Sequence, residues 1–260
     1  MRLPNLKKGV SGFTLVEMAI VLVIIGIILA GVMKGRDIVR GAQVKQFSQQ
    51  FAQKWGTVAQ TYYDKTGQIL NDGEINGGIA AGAPNGKMDG LLAGSALKAT
   101  RIMDTLDNVG IPVCSLVKSK LIDPVGAGTI VVAAAEVCTD GTDNVVNIWQ
   151  TLVEGEYAGS QIITADLLNL QIDMQGKTLL RNCVILYNVP TDVAQGLDTA
   201  IDGLANGAAG SCVGWDPTDA GTAPTWLLGE GAAVIAEAWA PAIATGGAPQ
   251  VQTTIIILDY

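Results

Sequence analysis

Histidine is absent from this chain, and the other residue types of enzyme and metal sites show no useful pattern. Without histidine no Ser-His or Cys-His pair can form, and the commonest metal-ligating side chain is missing. The four cysteines include no C-x-x-C pair that would suit zinc. No complete G-x-x-x-x-G-K-S/T loop occurs, and the scattered acids give no sign of a catalytic carboxylate pair. We therefore predict no enzyme, no catalytic residue, no metal and no cofactor.

Acidic residues are scarce in the first quarter of the chain and abundant afterwards. Residues 1–12 carry three cations and no acid, and residues 34–68 carry six cations and two acids. From residue 69 onward there are 7 Lys/Arg and 21 Asp/Glu, a net charge of −14. This acidic body argues against a broad nucleic-acid surface and is explained simply by solubility.

Residues 13–33 form a run of 21 residues that is long and apolar enough to cross a bilayer. Lys7 and Lys8 before it predict a cytoplasmic N-terminus. A cleaved signal peptide fits poorly, because Ile28 occupies a position that should hold a small residue. An uncut anchor fits the length and charges but leaves Glu17 unexplained, although a carboxylate there costs about 2.5–3.5 kcal/mol of insertion.

The segment SGFTLVEMAIVLVIIGIILAG resembles the N-terminal signature of type IV pilins and of the related pseudopilins of type II secretion. The resemblance implies that a prepilin peptidase cuts the Gly12–Phe13 bond and that the new N-terminal amine of Phe13 is methylated. It also implies that Glu17, then the fifth residue, pairs with the Phe13 ammonium of a neighbouring subunit. Since either charge alone would be costly in an apolar bundle, Glu17 would set the register of filament assembly.

The helical pattern continues well beyond the apolar run. One apolar stripe has spacings of three and four residues: Val44, Phe47, Phe51, Trp55, Val58 and Tyr62. The stripe is either a partner-binding face or the seam on which the helix packs against its own domain, and packing is the favoured interpretation. The helix is predicted to run to Thr66, with Gly67 as its C-cap. Assembled pili of the resembled family unwind part of this helix after a glycine. Gly26 matches it, but Lys34 replaces the usual proline.

The sequence after residue 67 predicts an irregular loop at 68–90, two helical segments around Cys114, and an antiparallel sheet that packs across the long helix. The strands are expected at 128–137, 144–153, 160–172, 177–189 and near the C-terminus, because these stretches are rich in β-branched residues. The loop acids Asp72, Glu74 and Asp89 are interpreted as solvated turn residues, since no calcium-loop spacing is present.

The stretch 187–215 resembles a helix and return segment found in several pilin-like proteins. Thr191 or Asp192 is expected to cap that helix. The relatives often have Asp-Asp-Gly in the turn, whereas this chain has only Asp202 and Gly203, so a calcium site is not expected.

The four cysteines, Cys114, Cys138, Cys183 and Cys212, lie in the part expected to leave the cytoplasm, where an even number suggests disulfides. They allow three pairings. The favoured one is Cys114–Cys138 with Cys183–Cys212, and the alternative is four buried thiols. The second bond would enclose the 187–215 helix, as the last disulfide of many pilins does.

The predicted fold class is therefore α+β and pilin-like: a long N-terminal α-helix packed on a C-terminal antiparallel β-sheet domain. The expected parts are a leader at 1–12, a helix at 13–66 that is transmembrane over 13–33, and a globular domain at 67–260. The expected function is that of a structural subunit of a type IV pilus or related filament. The alternatives are a pseudopilin, or a membrane-anchored periplasmic binding protein whose anchor is not cut.

The resemblance also predicts the partners and the location. The partners would be other pilins, in a homo- or hetero-polymer, together with prepilin peptidase and the inner-membrane assembly machinery. The precursor would sit in the bacterial inner membrane with its domain in the periplasm, and the assembled filament would be extracellular.

Overall fold

The computed structural model describes residues 14–78, 83–90, 96–118, 121–122, 131–132, 149–215, 232–236 and 251–259. The chain divides into two compact units, residues 1–43 and residues 44–260. The first unit contributes most of helix α1 (Leu15–Phe47). The second unit contains the sheet and the remaining helices.

A π-helical turn, Ser48–Ala52, separates α1 from α2 (Gln53–Thr66). Phe47, Phe51 and Trp55 follow one another at intervals of four residues. Because a regular α-helix has 3.6 residues per turn, side chains at this interval would point in progressively different directions around the helix axis. The wider i→i+5 turn takes up the excess and keeps all three side chains buried. The predicted long helix is confirmed from Leu15 to Thr66, but the π-helical turn within it was not predicted. The predicted end is confirmed: α2 stops at Thr66, and Gly67 has a left-handed φ of 69°.

The second unit continues with three short helical segments and two short strands. These are the 3₁₀ turn Glu74–Asn76, α3 (Ala96–Asn108), α4 (Val113–Leu116), β1 (Leu121–Ile122) and β2 (Val131–Val132). β1 and β2 pair antiparallel with each other. Gln50 O in the π-turn accepts a hydrogen bond from Lys118 N (3.1 Å), which ties the segment after α4 to the long helix.

In the described part of the chain the main sheet has six strands, and the first of them follows the buried Trp149. Its elements are β3 (Gln150–Gly155), β4 (Gly159–Met174), β5 (Lys177–Pro190), helix α5 (Thr191–Asp202), β6 (Cys212–Trp215), β7 (Ala232–Ile235) and β8 (Val251–Ile257). The antiparallel order is β3-β4-β5-β8-β6, and β7 adds to β4 in parallel. β4 and β5 form a long hairpin whose turn, Gln175 and Gly176, has positive φ at both residues (54° and 80°).

One side of β4 pairs with β5, and three separate segments line the other side. β3 pairs with residues 159–164. The segment 88–90 follows, where Asn169 N donates to Met88 O (3.0 Å). β7 then pairs with residues 170–173. Segments far apart in the sequence therefore complete a single strand edge.

Alternate residues of each strand point to opposite sides of the sheet. Buried apolar clusters lie on both sides. One face packs on the apolar stripe that runs from Val44 to Tyr62 of the long helix, where the Trp55 and Trp149 rings stack with centroids 3.7 Å apart. This confirms that the stripe is a packing seam. The other face forms a second apolar cluster that includes Leu168, Leu170, Ile172, Cys183, Ile185, Val213, Ile255 and Ile257.

The described strands test most of the sequence prediction. Those expected at 160–172 and 177–189 are confirmed as β4 and β5, and the C-terminal strand is confirmed as β8. Of 144–153, β3 covers the end, and residues 144–148 lie outside the described part. Of 128–137, only Val131–Val132 is described, as a strand.

Candidate assembly site

A reciprocal cap joins Thr14 and Glu17 at the start of α1. Thr14 N and Thr14 Oγ1 both donate to Glu17 Oε2, at 2.8 and 2.9 Å. Glu17 N lies 3.3 Å from Thr14 Oγ1, which accepts its hydrogen bond. This is a capping box, in which a Thr-x-x-Glu spacing satisfies backbone donors that a helix start leaves open. The spacing was visible in the sequence, but the role of Thr14 was not predicted.

Beyond this cap, the first half of α1 presents apolar side chains on all sides. Large side chains from Leu15 to Met33 are 45–88% exposed. In the described part of the chain, one helix is long and apolar enough to cross a membrane. This helix spans Leu15–Thr66. Such a surface is unfavourable in water and needs lipid or other apolar helices around it.

The cut and the unwinding predicted for this segment remain untested. Gly12 and Phe13 lie outside the described residues, so the cleavage and methylation sites stay predictions. Gly26 lies within the continuous α-helix α1. A side chain at this position would meet no other atom within 4 Å of its Cβ. Unwinding in a filament also stays a prediction.

The predicted Cys183–Cys212 disulfide was wrong: both residues are buried free thiols. Cys183 pairs with Ile257 and Cys212 pairs with Ile256, so β8 lies between the two cysteines. Two strand spacings put them roughly 10 Å apart, beyond disulfide reach. Because residues 256 and 257 alternate in direction, the thiols also point to opposite faces of the sheet, and each belongs to a different apolar cluster.

Burial is the main cause that raises the pKa of both thiols, with the nearby carboxylates of Asp198 and Asp202 adding to it at Cys212. Neither is therefore a reactive thiolate. Cys114 is disulfide-bonded. Cys138 lies outside the described residues, so the Cys114–Cys138 pairing remains a prediction.

Thiol counting tests this arrangement. We expect no rapid labelling of the folded, non-reduced protein by a maleimide, because Cys183 and Cys212 are buried. Two thiols should be labelled once the chain is unfolded in guanidinium, and peptide mapping should assign the label to Cys183 and Cys212. If the unfolded chain had no labelled thiol, the Cys183–Cys212 disulfide would be present after all. If all four cysteines were labelled, Cys114 would not be disulfide-bonded.

The 187–215 region is held by carboxylates that accept backbone hydrogen bonds. Asp198, which is fully buried, accepts from Asn206 N (2.8 Å) and Gly207 N (3.0 Å). Asp202 accepts from Ser211 N (3.2 Å) and Cys212 N (2.8 Å). The spaced aspartates thus tie α5 to the segment that returns into β6.

The glycines of this region permit close approach. A Cβ at Gly210 would collide with the Asp202 carboxylate, and a Cβ at Gly196 would lie 2.6 Å from Val44 Cγ1. α5 therefore packs directly on the end of α1 that belongs to the second unit. The N-cap prediction was wrong, because Pro190 occupies the N-cap position of α5, and Thr191 and Asp192 lie within its first turn. Asp192 instead accepts from Glu156 N at 2.9 Å.

The loop acids are less solvated than predicted. Asp72 is 2% exposed, and its two oxygens accept from Asn85 N and Gly86 N, both at 2.7 Å. Asp89 accepts from Gly73 N (3.0 Å), whereas Glu74 is exposed and lies 3.6 Å from an Arg101 nitrogen. The loop is irregular, but its carboxylates organise its backbone. Among the described residues, no group of three potential ligands could hold a metal ion.

The described residues define the class first: they include one exposed, apolar helix of membrane length and a folded α+β unit. A family model then identifies residues 7–33 as a prokaryotic N-terminal methylation motif, the prepilin-type signature of type IV pilins and pseudopilins. No curated protein and no solved structure matched the chain. The motif supports a pilin-like or pseudopilin filament subunit.

Proposed function

We propose that the chain is a structural subunit of a type IV pilus or a closely related filament. Prepilin peptidase cuts the Gly12–Phe13 bond, and the Phe13 amine is methylated. The subunits then polymerise through the N-terminal helix, with the acidic unit on the outside. The role is structural rather than catalytic.

One coincidence carries this proposal. The methylation motif at residues 7–33 overlaps the only described helix of membrane length and composition, and that helix begins at Leu15 with Glu17 in its first turn, where Thr14 donates two hydrogen bonds to the carboxylate. A capping box can serve any helix start, but only a polymer of helices also uses this carboxylate to pair with a neighbouring chain.

The Thr14–Glu17 cap suggests how the carboxylate is tolerated before assembly. In the single chain, Glu17 Oε2 accepts two hydrogen bonds from Thr14. A satisfied carboxylate is much less costly in lipid than a bare one. During docking, Glu17 meets the Phe13 ammonium of another subunit, and the pair is then buried in the helical bundle. Wrong registers leave both charges unpaired and are disfavoured.

The first experiment is the N-terminal peptide mass of the chain, recovered from sheared extracellular filaments of the native host. We expect a peptide that begins at N-methylated Phe13. The same peptide found only in the cell envelope would favour a pseudopilin, because pseudopilins stay beneath the outer membrane. An uncut chain in cells with active peptidase would overturn the proposal and favour the anchored binding protein.

A further inference from the structure

Three cations follow directly after the apolar run on α1. Lys34, Arg36 and Arg40, here called the basic collar, lie within seven residues of one another. Lys34 and Arg36 are exposed and Arg40 is partly buried. Asp37 is the one acid in this stretch, and it lies 3.8 Å from Lys34 with both side chains largely in solvent. The collar therefore keeps a net positive charge on a helix that belongs to the first unit.

The helical rise places Lys34 and Arg36 in the headgroup layer and Arg40 just beyond it. With Met33 at the edge of the hydrocarbon, Lys34 and Arg36 lie about 1.5 and 4.5 Å beyond it along the axis, and Arg40 about 10 Å. The polar layer of each leaflet is roughly 6 Å thick. Long cationic side chains also extend toward the interface, so all three head groups of the collar can reach lipid phosphates.

We propose that the basic collar binds anionic phospholipid headgroups on the side of the membrane opposite the N-terminus. Lys7 and Lys8 flank the other end of the apolar run, so cations border the span on both sides. The collar then fixes the depth of the helix in the bilayer. This inference requires a membrane-spanning α1 but no filament, so it stands apart from the proposed polymerisation.

Lys45 provides an internal comparison. It is exposed on the same helix but lies about 18 Å beyond Met33, outside the headgroup layer. A bound lipid phosphate should therefore depend on Lys34 and Arg36 and not on Lys45. A carboxylate of a second copy is the competing partner, because the region from residue 69 onward is acidic.

The test uses the full chain in vesicles of phosphatidylcholine and phosphatidylglycerol. Spin-labelled lipids report which headgroup the protein immobilises. A cation near an anionic surface favours association by roughly fivefold, so we expect the wild type to prefer phosphatidylglycerol by about fivefold or more. The preference should fall at least threefold in Lys34→Gln/Arg36→Gln. Both residues are exposed, and glutamine keeps good helix propensity.

Two matched variants complete the test. Lys45→Gln/Lys177→Gln removes the same charge from exposed positions outside the collar and should keep the wild-type preference. Lys34→Arg/Arg36→Lys keeps the charge of the collar and should also keep the wild-type preference for phosphatidylglycerol. Equal association of the wild type with both lipids would overturn the proposal, as would an unchanged preference in the collar variant. Loss of filaments from the collar variant without any lipid preference in the wild type would assign the collar to a second copy.

Discussion

Glu17→Ala is expected to reduce sheared surface filaments at least tenfold while leaving the cut at Gly12–Phe13 intact. In the proposed filament the carboxylate meets the Phe13 ammonium of a neighbouring helix, and losing one partner of a buried ion pair costs about 3–5 kcal/mol. Because each subunit added to the filament carries this penalty, assembly should fail although the helix remains apolar. Immunoblots of sheared filaments and the N-terminal peptide mass of the cell-envelope chain measure the two effects.

Asp37→Ala is the matched control, since it removes a carboxylate from the same helix outside the apolar run. Its contact with Lys34 is exposed, and such pairs contribute about 0–1 kcal/mol. Filament yield should therefore stay close to that of the wild type. Normal filaments from Glu17→Ala would refute the register argument, and an uncut Glu17→Ala chain would show that the residue acts in processing instead.

Asp198→Ala should destabilise the second unit by about 2–4 kcal/mol. The buried carboxylate accepts from two backbone N–H groups, and hydrogen bonds to charged groups contribute about 1.5–3 kcal/mol each. Alanine would leave both donors without this acceptor and would loosen the return segment that leads into β6. Urea unfolding of the detergent-solubilised chain, followed by tryptophan fluorescence, measures the free energy of unfolding.

Asp192→Ala is the comparison on the same helix. Asp192 is half-buried and accepts a single hydrogen bond from the backbone of exposed Glu156, so its loss should cost about 1 kcal/mol or less. A chelator should leave the stability of the wild type unchanged, because Asp198 Oδ2 and both Asp202 oxygens already accept backbone hydrogen bonds. Equal effects of the two alanine variants, or destabilisation by the chelator, would contradict this description of the turn.

The features that sequence predicted well depend on local pattern. β4 and β5 are long β-branched runs around a two-residue turn, and α2 carries an apolar stripe that ends before Gly67. The methylation motif at residues 7–33 was also predictable, because Lys7, Lys8, Gly12, Glu17 and the apolar run occur in one continuous stretch of sequence.

The errors concern information that no short window contains. The Cys183–Cys212 pairing was inferred from closeness in the chain, but the thiol positions depend on β8 inserting between β5 and β6. The parallel strand β7 is only four residues long and owes its place to β4. The π-turn arises because tertiary packing keeps Phe47, Phe51 and Trp55 buried together. Asp72 has a charged side chain that would be expected in solvent. It is buried where Asn85 and Gly86, 13 and 14 positions further along, donate backbone hydrogen bonds to it.

The position of β8 also determines the order in which this protein can fold. The β4–β5 hairpin is local and can form early, but β6 reaches the rest of the sheet only through β8, which is encoded 36 residues further along. Until residue 257 has emerged, one edge of β5 remains open to other chains. Such non-local strand insertion is slow and exposes the chain to aggregation. The newly made chain therefore has a long interval in which a chaperone is most useful, and this interval ends when β8 is inserted.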